Sequence, residues 1–599
     1  MFLANSYVAL PSSQARMKAA LQAAAGMFPP LRISILRNIM LEPYGTALRH
    51  AFMEEEQEAF LSFGGYDTMR QEAMGCGAAA LFADVKIVSL FTSFPRLSPL
   101  LAGSFASLSP AAVQEERERV CDDLFHIFTG IRSQTNAFLL WHALERPLFP
   151  SLGIADGFAE DQGQAGTISH INRRARELLQ GIGNAQCVET ELLLMRIGAE
   201  RFYDKRLWHM GRMPYSWEGS CALACEDMKY LRPLLGRVRK CLVLDCDNTL
   251  WQGILGEDGF DGIKMGDSYP GSCFRELQGA VLELFYRGII IALCSKNNEA
   301  DVLEVLDTHP EILLRRKHIA ASRINWRNKV ENIRELAQEL NIGLESMVFL
   351  DDSPFEVNMV REHLPEVHAI LFSQELWLSA RETLFSPGLF DAPILSVEDR
   401  QRGNMYRADA QRTQLKSVSM DLESYYRSLE MAITIAGADD FSIPRIAQQT
   451  QKTNQFNLTT QRYTEENIRQ MAASRDYSVL CLSLSDKFGD LGLVGSCILR
   501  YEQDKAIFDT FLLSCRALGR RVEEVFLHYA LATAKQRGAH SAIGLYKRTR
   551  KNEQVAEFFP QHNFKACSPY RETDGAWEFS LSGKLPELPS SFSIQLMLV

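Results

Sequence analysis

The sequence predicts an α/β chain of three folded regions, and three observations carry that prediction. At 599 residues the chain is too long for one hydrophobic core. Short runs dense in Val, Ile, Leu and Phe alternate with stretches of helical period, the pattern of sheets covered by helices on both faces. Two aspartates at a spacing of two follow one such run directly, in LVLDCDNTLW. An open doubly wound sheet gathers its functional groups at the carboxyl ends of its strands.

In the first region, 1–230, RISILRN (32–38), ADVKIVSLFTSF (83–94) and NAFLLWHAL (136–144) read as buried strands. A helix is expected from Pro110 to Ile131, a loop from Asp156 to Thr167, a helix over NRRARELLQGI, and a further element within 183–197. The second region, 238–372, opens on the strand VRKCLVLD. It continues through the helix CFRELQGAVLELFYRG, the strand IIIALC, helices over NEADVLEVLD and WRNKVENIRELAQEL, the strand MVFL and the loop DDSPFE. Pro and Ser clusters mark 373–429 as a connection. The last region, 430–599, is α+β: MAITIAG, YSVLCLSL, LVGSCILRY, AIFDTFLLSC and AIGLYKR are strands, and RRVEEVFLHYALATAKQRG is a strong helix.

Composition narrows the function classes. Charged residues at 23% and hydrophobic residues at 46% describe an ordinary globular protein. A net charge of -10 argues against nucleic acid as a partner, because backbone binding needs a basic field. The 13 cysteines are scattered without a CxxC pair, and no secretory signal precedes them, which favours free thiols in a reducing compartment, the cytoplasm. No apolar run reaches spanning length, so no membrane partner is expected. Whether identical chains associate is left open.

Two carboxylates at the end of a strand can face one site, and a hard cation such as Mg²⁺ takes oxygen ligands of that kind. DCDNTLW (245–251) resembles the DxDxT signature of the haloacid dehalogenase superfamily. The resemblance implies that Asp245 is the nucleophile toward phosphorus and Asp247 the acid/base. It implies that Ser295, in LCSKN, donates to a phosphoryl oxygen, and that Lys329, in NWRNKVENI, is the cation over the phosphoryl group. Asp351, after MVFL, completes a Mg²⁺ site with Asp245 and Asp247, and Asp352 and Thr249 stand behind these ligands. Mg²⁺ and Lys329 would cancel the repulsion between a carboxylate and a phosphate dianion. Between Asp245 and Ser295 lie 49 residues, and between Lys329 and Asp351 only 21. Neither gap holds a cap domain, so QGILGEDGFDGIKMGD (252–267) forms a small flap over an open site.

VLDCDNTLWQGILGEDG, NWRNKVENI, DDSPFE and KTNQFNLTTQRY together resemble the FkbH-like family, subfamily IIIC of the superfamily. Some members are glyceryl transferase/phosphatases. The resemblance then implies a three-carbon substrate, D-1,3-bisphosphoglycerate, loss of phosphate, and loading of glycerate onto the phosphopantetheine arm of an acyl carrier protein for polyketide assembly. Such transfer needs a thiol. Cys246 is placed to serve, and equally reads as a small apolar residue behind the strand end. Cys294 reads as core.

The last region resembles the acetyltransferase fold. Arg516 and Gly519, with Arg520 and Arg521, resemble a turn for a pyrophosphate or a carrier's phosphate at a helix start. A scaffold or docking face is the other reading. Asn454, Gln455 and Asn457 are expected as polar contacts across a domain junction. The first region resembles SGNH hydrolases without their GDS string, since ILRNIMLEP stands there; Asp204 and His209 are candidate remnants of a base pair, or ordinary surface residues. Three functions follow: glyceryl transfer with phosphate release, hydrolysis of another phosphorylated metabolite, or binding without turnover. The intact acidic set and Lys329 speak against the last.

Overall fold

The computed structural model describes residues 14–24, 26–159, 162–392, 426–453, 455–487, 489–514, 517–549, 551–567, 573–588 and 592–597. They fall into two compact units, Met1–Leu231 and Arg232–Val599.

In the first unit β1 (Pro30–Arg37), β2 (Glu58–Tyr66), β3 (Ile87–Phe91), β4 (Phe138–His142) and β5 (Ala185–Val188) form a parallel sheet in the order β2-β1-β3-β4-β5. IVSLF and FLLWH are buried along their whole length, as a sheet covered on both faces requires. The two strands without a clear sequence signal are the edges, β2 and β5, whose residues are only partly buried. One expectation is corrected. The helix expected over 172–182 starts at Gln164, inside the predicted loop. The buried Asp156 carboxylate accepts from the backbone N–H groups of Gln164 (2.7 Å) and Ala165 (3.0 Å), satisfying donors at the helix start.

The second unit begins with another parallel sheet: β6 (Cys241–Leu244), β7 (Ile290–Ser295), β8 (Ala321–Ile324), β9 (Met347–Asp351) and β10 (His368–Leu371), ordered β10-β9-β6-β7-β8. Side chains of β6 alternate between its faces. Leu242 and Leu244 pack with Phe274 and Leu277, whereas Cys241 and Val243 pack with Ile333 and Phe349. The first part of the expected connection also belongs to this core: Ala380, Leu384, Leu389 and Phe390 are buried in it, and Trp377 meets Phe274 at 4.9 Å. Residues 393–425 lie outside the described residues.

The C-terminal region is a mixed sheet built from β11 (Met431–Gly437), β12 (Phe456–Asn457), β13 (Tyr477–Asp486), β14 (Gly489–Glu502), β15 (Lys505–Leu513), β16 (Ser541–Tyr546), β17 (Lys565–Ala566), β18 (Gly575–Ser580) and β19 (Phe592–Met597). Its order is β17-β18-β16-β15-β14-β13-β11-β19, with β12 beside β15. The helix Val522–Gln536 buries Val525, Phe526 and Leu531 against it. This region meets the amino-end side of the preceding sheet. Lys240, just before β6, donates to the Lys452 carbonyl (2.7 Å), and Lys551 pairs with Glu345, just before β9, at 3.5 Å. A cleft of about 410 Å³ at this junction is lined by Arg334, Asn341, Leu344 and Gln455, among others. Among the described residues no helix is long and apolar enough to cross a membrane.

Candidate active site

β6 is the middle strand of its sheet, buried on both faces, and this places its carboxyl end centrally. The Asp245 N–H still donates to the Leu350 carbonyl (3.0 Å), so its position is fixed by the sheet ladder. The chain then turns. Asn248 adopts φ 51°, which Asn tolerates better than most residues, and its side chain accepts from the Gly253 N–H at 3.0 Å. Lys329 is the first residue of the helix Lys329–Glu339, which Asn328 caps by accepting from the Val330 N–H at 2.8 Å.

These elements bring the acidic residues and the lysine together. Lys329 Nζ donates to Asp245 Oδ1 (2.8 Å) and to Asp351 Oδ2 (2.6 Å), and all three residues are at least 95% buried. Asp351 also accepts from the Ser353 N–H at 2.8 Å. One carboxylate oxygen from each of Asp245, Asp351 and Asp352 lies within 4.8 Å of the others. Burial pulls the Lys329 ammonium down, but the charges of Asp245 and Asp351 outweigh it and hold the group well above its ordinary value. Burial, then the Asp245 charge, raises the Asp351 carboxyl. Burial and the charges of Asp245 and Asp351 push Asp352 up to about 7. One ammonium neutralises one of three carboxylates, so the cluster is short of positive charge. Its donors are all oxygens, and Thr249 Oγ1, four residues after Asp245 in the chain, is buried without a hydrogen-bond partner. A hard divalent cation supplies what is missing, and the cluster is a Mg²⁺ site.

The Asp247 carboxylate is not part of this cluster. Oδ1 accepts from Trp251 Nε1 (2.9 Å) and the Leu255 N–H (3.1 Å), and Oδ2 accepts from Asn297 Nδ2 (3.0 Å). The third carboxylate beside those of Asp245 and Asp351 is thus that of Asp352, while the side chain of Asp247, expected among the ligands, is held apart from them. Burial raises the Asp247 carboxyl. Ser295 ends β7, buried beside the Cys246 thiol. Sequence reasoning assigned no role to Trp251 and Asn297; Trp251 stands inside the motif string, and Asn297 two places after Ser295.

Cys246 has the surroundings of the second of its two readings, a small residue packed behind the strand end. It is fully buried in the apolar cluster of Leu242, Leu244 and Leu250. Burial, then the Asp245 charge, drives its thiol well above the ordinary range. Burial of this kind favours the packing reading over that of an acyl-carrying thiol. Cys294 is buried likewise and pushed up to about 12.

Among the described residues, the other candidates do not converge. Arg520 pairs with buried Asp486 at 3.2 Å, and Arg521 with Glu524 through two bonds of 2.8 Å. Glu523 and Glu524 fill the first turn of the helix behind them, so an anion there would meet negative charge. Gly519 takes φ 71°, and its carbonyl accepts from Tyr426 Oη at 3.1 Å. Arg516 and Asn454 lie outside the described residues. Gln455 lines the junction cleft. Asn457 is instead buried inside the C-terminal region, accepting from the Thr460 N–H (2.9 Å) through its side chain and from Asn552 Nδ2 (2.8 Å) through its carbonyl. In the first unit Asn38 follows β1 where a hydrolase would need a nucleophile. Asp204 caps the helix Lys205–Gly211 by accepting from the Leu207 N–H at 3.1 Å, and His209 is exposed on that helix.

Residues 240–371 match the family model of NLI interacting factor-like phosphatases. The chain is similar to the crystal structure of the N-terminal part of a Bacteroides fragilis protein that contains a phosphatase domain complexed with Mg. That match has 25% identity and a TM-score of 0.55, over 63% of this chain and 98% of the other. The ribosomal-protein-S18-alanine N-acetyltransferase of Escherichia coli (11% identity, TM-score 0.20, 26% of this chain and 99% of the other) also matches. So does an N-acetyltransferase of Thermoplasma acidophilum (17%, 0.19, 25% and 99%). Both scores are too low to bear on the argument. No curated protein matches the chain. Residues 240–371 thus form a phosphatase domain of the haloacid dehalogenase type.

Proposed function

We propose that the protein is a Mg²⁺-dependent phosphatase that hydrolyses a phosphorylated metabolite through Asp245. The observation that carries this reading is the bridge of Lys329 between Asp245 and Asp351, inside a cluster of three carboxylates. Asp245, Asp351 and Asp352 would hold the cation. When bound, Mg²⁺ draws negative charge from the phosphoryl oxygens. Lys329 keeps Asp245 aimed and adds a second positive charge where charge develops in the transition state. Asp245 attacks phosphorus, the leaving oxygen takes a proton from Asp247, and water then releases phosphate from the aspartyl-phosphate with Asp247 as base. Ser295, at the end of β7, contributes a donor to the phosphoryl group. The test is phosphate release from a panel of phosphate esters. Release that needs Mg²⁺, stops with EDTA and is lost in Asp245→Asn supports the reading; release indifferent to both contradicts it.

The finer reading is transfer of a glyceryl unit from D-1,3-bisphosphoglycerate to the phosphopantetheine arm of an acyl carrier protein. One observation favours it. From Asp245 to the helix at Gly271 the chain makes only a flap, held by the paired bonds of Gln252 and Lys264 at 2.9 Å and the short helix Leu255–Asp258. Such a mouth admits a bulky acceptor. With Cys246 enclosed, the glyceryl group passes without it. Intact-mass analysis of a carrier protein should then show loading by both wild type and Cys246→Ala; no loading by wild type contradicts the reading.

A further inference from the structure

Resting on the phosphatase reading, the geometry points to Trp251 and Asn297 as positioning residues that hold the Asp247 carboxylate and dedicate one lone pair of its Oδ2 to proton transfer. A carboxylate offers about four acceptor positions, two on each oxygen. Asp247 Oδ1 has both of its positions taken, by Trp251 Nε1 at 2.9 Å and the Leu255 N–H at 3.1 Å. Oδ2 has one taken, by Asn297 Nδ2 at 3.0 Å. One position on Oδ2 remains for a proton.

The holders are themselves fixed. Trp251 is fully buried among Leu250, Leu255, Ile263 and Phe274, so its indole cannot turn without displacing that core. Asn297 is 4% exposed, and its Oδ1 accepts from the Asn298 N–H at 3.0 Å, which sets its amide with Nδ2 toward Asp247. The donors come from two separate elements, the stem of the flap and the loop after β7. A turn of the carboxylate therefore breaks bonds on both sides.

The proton balance is closed. As the Asp245 oxygen bonds to phosphorus and the ester P–O bond breaks, the proton on Asp247 Oδ2 moves to the leaving oxygen. When water bonds to phosphorus and the aspartyl P–O bond breaks, a proton from that water returns to Oδ2. Phosphate leaves and Asp245 is free again.

A leaving group of low pKa needs no proton in the first step, whereas an alkoxide does. The experiment compares kcat/KM for p-nitrophenyl phosphate and for an alkyl phosphate in wild type, Asn297→Ala and Trp251→Phe, each with its Mg²⁺ affinity measured by calorimetry. For Asn297→Ala the expected result is a fall of about 10- to 100-fold on the alkyl ester and less than about threefold on the aryl ester. Mg²⁺ affinity should be unchanged, and kcat should fall on both esters because both share the water step. Trp251→Phe should show the same split. Should it fail to fold, Asn297→Ala decides alone. Equal losses on both esters, or no loss on either, overturn the proposal. If wild type hydrolyses neither ester, or Asp245→Asn hydrolyses both, the phosphatase reading itself has failed and the proposal falls with it.

Discussion

Two regions of this molecule bury acidic side chains at the carboxyl end of a parallel sheet, and they treat the charge in opposite ways. In the first unit Asp227 is completely buried, accepts from Tyr44 Oη, and meets His142 Nε2 at 2.9 Å, with the Phe91 ring stacked on His142 at 3.6 Å. His142 Nδ1 lies 3.3 Å from the Leu90 carbonyl, so the network is closed on every side. At the ends of β6 and β9, three carboxylates gather beside one ammonium, which bonds two of them. A satisfied cluster stabilises a fold; an under-neutralised one stores a demand for a cation. The first has the chemistry of structure, the second of catalysis.

The sharpest way to break the comparison is to neutralise one acid in each region. Asp245→Asn should lower phosphate release by at least about 10³-fold, as removal of a nucleophile does. It also relieves crowding among carboxylates, so melting of the metal-free protein should occur at the same temperature or higher. Asp227→Ala should do the reverse. It leaves His142 and Tyr44 buried without their partner and should cost about 3 kcal/mol in denaturant unfolding, with kcat/KM per folded molecule unchanged.

Added Mg²⁺ should stabilise the protein by about 2.7 kcal/mol at 100-fold excess over Kd, read as a rise in melting temperature that Asp351→Asn abolishes. A rise that survives Asp351→Asn places the cation elsewhere.

The first unit should also carry its own pH dependence. Burial pushes Glu145 up to about 7, although its Oε1 accepts from Tyr215 Oη at 3.2 Å. A folded pKa above the unfolded value of about 4.3 means that the native state holds the proton longer than the unfolded state. The stabilisation is complete below the unfolded pKa and disappears as pH rises through about 7. Unfolding of the first unit should lose stability across that window, and Glu145→Gln should flatten the profile. The smallest effect belongs to the junction in the second unit. Lys551→Ala removes a partly exposed pair with Glu345 and should cost about 0.5 kcal/mol.

The sequence made some of this legible because certain demands are local. Strands buried on both faces must be continuous apolar runs, and LVL before Asp245, IIIALC and MVFL each announce one. The edge strands β2, β5, β8 and β10 are short or half-buried and give no such run. The segment 380–390 is mixed in composition, and its burial depends on a core that forms far away in sequence. At the site, Asp245, Lys329 and Asp351 stand out by motif. The direction of the Asp247 carboxylate does not, because it is decided by Trp251 and Asn297, donors 4 and 50 residues away. Residue type alone left Cys246 open between nucleophile and core, and only burial separates the two.

The central claim is that Asp245 takes the phosphoryl group before water does. Hydrolysis of a phosphorothioate ester whose two non-bridging oxygens are different isotopes, in water of the third oxygen isotope, tests it directly. Two successive in-line displacements predict thiophosphate with retained configuration. Inverted configuration would mean that water attacks the ester directly, and that Asp245 is no nucleophile.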